Sequence, residues 1–204
     1  MCLIRAARRL SAGGALAVVM AACQPGGDGP AAALDEATIA ARSAHLIAPR
    51  PGLYRTTTRL VAFDLPHAAR ADTAALRHRV ARLSPQVRQL CLAPAQARAG
   101  FAALARSLGG DNCRFERFDA GRTRLHARLA CSGGAGARQA IEMRGRAGAE
   151  RSRLLVNIEQ RNRAIPGGVQ RLQLQIDNRR LGACPPGRAA AGNAVPDNPF
   201  INGT

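Results

Sequence analysis

The sequence predicts an α+β domain: a curved, mostly antiparallel β-sheet with one or two short helices and disulfide bridges. Apolar and polar residues alternate over residues 124–129, 141–144, 153–159 and 171–177, and glycine-rich breaks separate these runs. Such alternation is typical of antiparallel strands that have one buried and one solvated face, and the glycines suit the turns between them. The pattern leaves open whether the sheet closes into a barrel.

The first 22 residues predict a lipoprotein signal peptide. Three arginines precede an apolar run over residues 10–22, which ends in Met20-Ala21-Ala22-Cys23. This run is shorter than the ~20 residues that span a bilayer, and it has the order of a secretory signal. Its end resembles a lipobox, in which the cysteine is diacylated and becomes the first mature residue. Ordinary signal-peptidase cleavage after either alanine is the alternative.

The predicted signal peptide places the protein in the bacterial cell envelope. We expect the lipid on Cys23 to anchor it in the outer membrane, facing the periplasm. Gln24 supports this location. The known inner-membrane retention signal of lipoproteins has Asp directly after the lipidated cysteine, and this chain has Gln24 there. The membrane would then be a partner through this lipid, while the sequence identifies no protein partner.

The chain organisation follows from composition. Residues 23–49 are small and weakly patterned and predict a flexible tether, within which Asp35–Ala44 can form a short helix. A single β-rich domain is expected over residues 50–187. Residues 188–204, which are rich in Ala, Gly, Asn and Pro, predict a disordered tail.

The first half of the domain predicts one strand and two helices. The strand covers about Leu53–Phe63. The first helix is capped by Asp72 or Thr73 and ends at Ser84-Pro85. The second helix begins at Pro94 and is stopped by the glycines at positions 109 and 110.

The cysteines predict a disulfide framework rather than a metal site. Cys2 leaves with the signal peptide, and lipidation uses Cys23. Four cysteines remain, an even number in an oxidising compartment: Cys91, Cys113, Cys131 and Cys184. Close Cys-x-x-Cys pairs are absent from the sequence, so no zinc site, metal or other cofactor is expected.

A hairpin predicts how these cysteines pair. Folding residues 112–131 about a turn at 121–123 places Cys113 opposite Cys131, with Phe115 facing Leu129. The remaining pair, Cys91–Cys184, would tie the start of the second helix to the last strand.

Charge limits the functions that the chain can perform. All 30 basic residues are arginine, so P-loop and Schiff-base chemistry, which need lysine, are excluded. Removing the three signal-peptide arginines leaves 27 against 13 acidic residues, a net charge of +14 that attracts anionic partners. Nucleic acid is not expected, because the chain has no Trp, one Tyr and five Phe for base stacking.

Five arginines are predicted on the polar face of the sheet. They are Arg124, Arg128, Arg144, Arg153 and Arg171. We expect weak contacts between this face and an anionic lipid or lipopolysaccharide surface. The alternative is that these arginines form an ordinary solvated face of the sheet, with no dedicated anion site.

Catalytic groups are not evident. None of the four histidines stands in a recognisable catalytic spacing with Ser, Cys or a carboxylate. Ser132 lacks the Gly-x-Ser-x-Gly context of a nucleophile elbow, and turn formation explains Asp111 and Asp119. We therefore expect no enzyme activity.

Five short motifs occur in order along the domain: Pro51-Gly52-Leu53-Tyr54, Cys91-Leu92-Ala93-Pro94, Cys113, Cys131-Ser132-Gly133 and Gly182-Ala183-Cys184. This series resembles a family of bacterial secreted proteins, the domain of unknown function 3617, over about residues 50–187. The family pattern is Pro-Gly-x-Trp/Tyr, Cys-x-Thr-Pro and a late Gly-x-Cys, so Ala93 departs from the usual Thr. The resemblance implies an exported, cysteine-bridged, β-rich domain and brings no established activity.

Three functions fit these observations. The leading one is a non-enzymatic, periplasm-facing lipoprotein that acts as a structural or binding module. The alternative is a carrier of a small apolar ligand or lipid in a sheet-enclosed cavity. A cavity lined by Leu, Ile, Met and Phe without buried charge would support the carrier, and a filled core would remove it. An enzyme of unrecognised type is the third candidate.

Overall fold

The computed structural model describes residues 33–82, 84–109 and 112–186, with backbone alone for 102–109 and 135. The predicted signal peptide, Cys23 and the predicted tail over 188–204 lie outside these residues. Within the described part, no helix is both long and apolar enough to cross a membrane.

Seven antiparallel strands form one sheet, and three α-helices accompany it. The strands are β1 (Gly52–Asp64), β2 (Gln86–Leu92), β3 (Cys113–Ala120), β4 (Arg124–Ser132), β5 (Arg138–Arg146), β6 (Arg151–Arg161) and β7 (Val169–Gly182). The helices are α1 (Glu36–Ser43), α2 (Arg70–Ala81) and α3 (Pro94–Gly109). The sheet order is β2-β1-β7-β6-β5-β4-β3, so β2 and β3 are edges and the sheet is not closed into a barrel. The α+β class is confirmed, and the barrel option is removed.

The hairpin of β3 and β4 has the predicted register. Cys113 lies opposite Cys131, and Phe115 lies opposite Leu129. The two cysteines form a disulfide with an S–S distance of 2.04 Å, so this predicted bridge is confirmed.

Alternation divides the sheet into an inner face, which carries the core, and an outer face. Phe118, Leu129, Ile158 and Leu174 are at most 1% exposed on the inner face. The ring of Phe118 packs edge-on against that of Phe115, with 5.7 Å between centroids. Helix α1 adds the buried Ile39 to the same cluster. The core is therefore continuous from β3 to β7.

Residues 33–49, which were predicted as part of a flexible tether, belong to the fold. Asp35 caps α1 by accepting a hydrogen bond from the Thr38 backbone N–H at 2.7 Å. The Leu34 N–H donates to the Phe115 carbonyl, and the Ile47 N–H donates to the Arg122 carbonyl. We call residues 44–49, which follow α1 and run back to the sheet, the strap.

The helical region differs from the prediction at three points. Helix α2 begins at Arg70, and its N-cap Ala69 makes no side-chain hydrogen bond, so Asp72 and Thr73 are not caps. Strand β2 was not predicted. Helix α3 begins at Pro94 as expected but is interrupted at Gly100, which has φ 53° and ψ −140°. Glycine tolerates this left-handed φ because it has no Cβ.

The predicted Cys91–Cys184 bond is not formed, because Cys91 is a buried thiol. Both Cys91 and Gly182 pair with Leu53, so strand β1 lies between them. Two strand spacings separate such positions by roughly 9–10 Å, which exceeds the ~7 Å limit between the Cα atoms of a disulfide.

Candidate functional site: a cavity on the inner face

A cavity of about 670 Å³ lies on the inner face, beside the filled core. Helix α1, the strap, α3 and the ends of several strands enclose it. Its larger apolar side chains are Leu46, Ile47, Leu90, Leu92, Phe101, Leu125 and Leu154. A volume of this size falls within the range of small-molecule sites in proteins.

The space exists because the elements around it meet through small residues. Seven alanines and glycines line it: Ala40, Ala44, Ala48, Ala99, Gly100, Ala147 and Gly148. Protein interiors otherwise pack to the density of organic crystals, and the neighbouring core residue Phe118 is fully buried. Gly100, where α3 is interrupted, is itself one of the lining residues. The shape of the cavity wall at this point therefore depends on the break in the helix.

A ladder of three polar side chains crosses the floor of the cavity. Thr56, Asn178 and Ser152 occupy paired positions on β1, β7 and β6. The Thr56 hydroxyl donates to Asn178 Oδ1 at 2.6 Å, and Asn178 Nδ2 donates to Ser152 Oγ at 3.1 Å. Because Ser152 Oγ accepts in this chain, its own proton is available to another acceptor.

Tyr54 closes one side of the same floor. Its ring is 6% exposed, and its hydroxyl lies 2.7 Å from the Arg50 carbonyl oxygen and 3.1 Å from that of Ala149. Burial raises the pKa of Tyr54, against an opposing effect of Arg180. The single hydroxyl proton is thus shared between two carbonyls, which ties Arg50, the residue after the strap, to the β5–β6 turn.

Charge in the cavity lining is of one sign. Three arginines belong to it, Arg98, Arg146 and Arg151, and all three are exposed. No Asp or Glu of the described chain lines the cavity. A cavity lined by Leu, Ile, Met and Phe without buried charge was the feature expected of a carrier. This cavity has Leu, Ile and Phe in its lining, and its described lining residues include no buried charge but also no Met.

The five predicted arginines lie on the outer face, as the alternation indicates. Four of them form ion pairs: Arg128 with Glu116 at 3.1 Å, Arg144 with Glu142 at 2.6 Å, Arg153 with Asp177 at 2.6 Å and Arg171 with Glu159 at 3.1 Å. Arg124 has no ion pair with any described residue. Carboxylates therefore neutralise much of the positive charge that the five arginines give to this face.

A histidine–carboxylate pair on the outer face is not evident from the sequence. His126 Nε2 lies 2.8 Å from Glu142 Oε1, across β4 and β5. Hydrogen bonds from Arg144 and then His126 hold the pKa of Glu142 below its ordinary value. Arg161 and Arg171 do the same for the pKa of Glu159. Such pairs hold neighbouring strands together on an exposed surface.

The described residues offer no cluster of three His, Cys, Asp or Glu that could hold a metal. The cavity itself could not be predicted from motifs, because its lining residues are scattered from Ala40 to Asn178. The alternation of strand residues does place Thr56, Ser152 and Asn178 on the inner face, where polar side chains are unusual. Those three positions were the available indication of a site.

The protein is an α+β domain in which an open seven-stranded sheet carries helices and a cavity on its inner face. The family model described as "Protein of unknown function (DUF3617)" matches residues 49–184, and the chain belongs to this family. The resemblance read from the short motifs is therefore confirmed. No curated protein matches the chain, and no solved structure matches it.

Proposed function

We propose that this protein is a non-enzymatic, lipid-anchored binding module that carries a small, largely apolar ligand in the inner-face cavity. The cavity of about 670 Å³ beside a close-packed core is the observation that supports this proposal. It favours the carrier over a purely structural role, because a structural domain gains stability by filling such a space.

The lining has the composition of a ligand site. Leucine, isoleucine and phenylalanine supply apolar surface, while the Thr56–Asn178–Ser152 ladder supplies a few fixed polar groups. Pockets of this kind gain affinity from apolar burial and orient the ligand through the polar groups. The exposed alanines of α1 leave a way in from solvent.

A pair of tryptophan substitutions on α1 tests the proposal. Ala40 and Ala41 are both exposed, but only Ala40 lines the cavity. We expect Ala40→Trp to weaken binding of the neutral dye Nile red by roughly tenfold, because the indole occupies the mouth, whereas Ala41→Trp leaves it within about twofold. Fluorescence titration of the full chain carrying Cys23→Ser measures both.

Thermal unfolding of the two tryptophan variants serves as the control, and we expect matched midpoints because both sites are exposed. Equal binding by Ala40→Trp and Ala41→Trp, or no binding by the parent chain, would contradict a cavity ligand.

The anchor is part of the same proposal and rests on the sequence. Cys23 ends a lipobox-like segment, and the acyl chains would contribute about 0.8 kcal/mol per buried CH₂. We expect Cys23→Ser to move the protein from the membrane fraction to the soluble periplasmic fraction. Immunoblots of fractionated cells measure this, with Cys91→Ser as a variant that stays in the membrane fraction. Equal membrane recovery of Cys23→Ser and parent would contradict the anchor.

A further inference from the structure

We infer that the ligand of the inner-face cavity is a single-chain amphiphile with an anionic headgroup, such as a long-chain carboxylate. This inference rests on the proposed function and names the ligand class. It follows from the charges, the hydrogen-bond donors and the distribution of apolar groups in the lining.

The charges at the cavity mouth are positive and uncompensated. Arg146 and Arg151 flank the β5–β6 turn, Arg98 lies on α3, and none of them has an ion pair with a described residue. The turn also holds Glu150, which is outside the lining and pairs with Arg50 at 3.2 Å and with Arg180 at 3.9 Å. The mouth therefore has a positive potential, which attracts an anion within about a Debye length of ~8 Å.

The polar floor offers a donor to the same cavity. Ser152 and Arg151 both belong to the lining, and the Ser152 hydroxyl proton is left over after Ser152 Oγ accepts from Asn178. Guanidinium groups donate and never accept. A headgroup that only accepts, as a carboxylate does, matches this set better than a hydroxyl, which must also place a proton.

Most of the apolar lining comes from different elements. Of the seven larger apolar side chains, five belong to the strap, β2 and α3, namely Leu46, Ile47, Leu90, Leu92 and Phe101, while Leu125 belongs to β4 and Leu154 to β6. The polar ladder and two of the arginines come instead from β1, β7, β6 and the β5–β6 turn. A ligand that satisfies both parts has an apolar chain and a charged end.

The test compares decanoate with 1-decanol, which has the same chain length and no charge. Isothermal titration calorimetry of the full chain carrying Cys23→Ser is expected to give a decanoate Kd about tenfold below that of decanol at low salt. Raising the salt should narrow this difference. Arg146→Gln with Arg151→Gln should remove most of the preference for decanoate over decanol.

Arg138→Gln with Arg163→Gln is the matched control. These exposed arginines lie at the opposite end of the β5–β6 hairpin, roughly 25 Å away along the strands, and neither has an ion pair with a described residue. The control pair removes the same charge and should keep the preference for decanoate.

Each outcome decides between the two claims. If decanoate and decanol bind with equal affinity, and Ala40→Trp weakens the binding of both, the preference for an anionic headgroup is wrong while the carrier function stands. A preference lost equally in both arginine pairs would overturn a local headgroup site. Failure of both probes to bind would overturn the carrier itself.

Discussion

The two faces of the sheet are built from alternate residues of the same strands, yet they are held by different forces. On the inner face, Leu129 and Ile158 are at most 1% exposed and contribute through burial of apolar surface. On the outer face, Arg128 and Glu159 are joined to neighbouring strands by ion pairs that water reaches. Exposed ion pairs contribute little, typically 0–1 kcal/mol each.

This difference between the two faces indicates where a ligand could bind. Many charges of the outer face are paired with one another, whereas the inner face leaves part of its apolar surface unfilled at the cavity. Stability therefore depends on the filled part of the inner face, and the proposed ligand binding would use the open part.

The largest expected effect comes from the filled part of the inner face. Leu129→Ala should lower the free energy of unfolding by about 3 kcal/mol or more, because it removes a fully buried side chain and leaves a void. Leu92→Ala, at a half-buried position beside the cavity, should cost less than half of that. Urea unfolding followed by circular dichroism measures both, and equal losses would contradict the division of the inner face.

A smaller effect is expected from the outer face on acidification. The folded-state pKa of Glu142 is lowered, so its contribution is present above the unfolded pKa and is lost as pH falls through the folded value. Glu142→Gln should therefore cost less than about 1 kcal/mol at pH 7 and make the protein less sensitive to acid as the pH falls below the ordinary Glu pKa of about 4.3.

Asp64→Asn is the control for this pH dependence, because Asp64 is exposed and has no ion pair with any described residue. Thermal midpoints over the same pH range measure the two variants. The interpretation fails if Glu142→Gln and parent lose stability in parallel on acidification.

The smallest effect on stability is expected from the outer arginines. Replacing Arg128, Arg144 and Arg153 with Gln should change the free energy of unfolding by less than about 1 kcal/mol. The same change should reduce weak, salt-sensitive binding of the unlipidated full chain to anionic phospholipid vesicles. Vesicle sedimentation at two salt concentrations measures it, with neutral vesicles as control. Salt-insensitive binding, or a protein that no longer folds, would show that these side chains are not a solvated face.

Much of the sheet follows from the sequence because alternation reports burial directly. The Cys113–Cys131 register and the assignment of five arginines to the outer face were predictable for that reason. Strand β2 was not, since Gln86–Leu92 is an edge strand with only Val87, Leu90, Cys91 and Leu92 as apolar residues. Its pairing with β1 comes from tertiary context rather than from its own pattern.

The cavity depends on distances that no local pattern encodes. Small residues such as Ala40, Ala99 and Gly148 look unremarkable where they stand in the sequence. They create a site only when α1, α3 and the β5–β6 turn come together. The strap was predicted as part of a tether because its residues have little periodicity, although backbone hydrogen bonds fix it to the fold.

The most direct test of a ligand in this cavity is mass spectrometry of the lipids and metabolites that copurify with the full-length protein from the cells that make it. The cavity predicts an amphiphile in about one-to-one amount with the parent chain and with Ala41→Trp, and its loss from Ala40→Trp, because Ala40 lines the cavity and Ala41 does not. A parent chain that carries no such molecule, or an Ala40→Trp chain that carries it equally, would contradict the carrier.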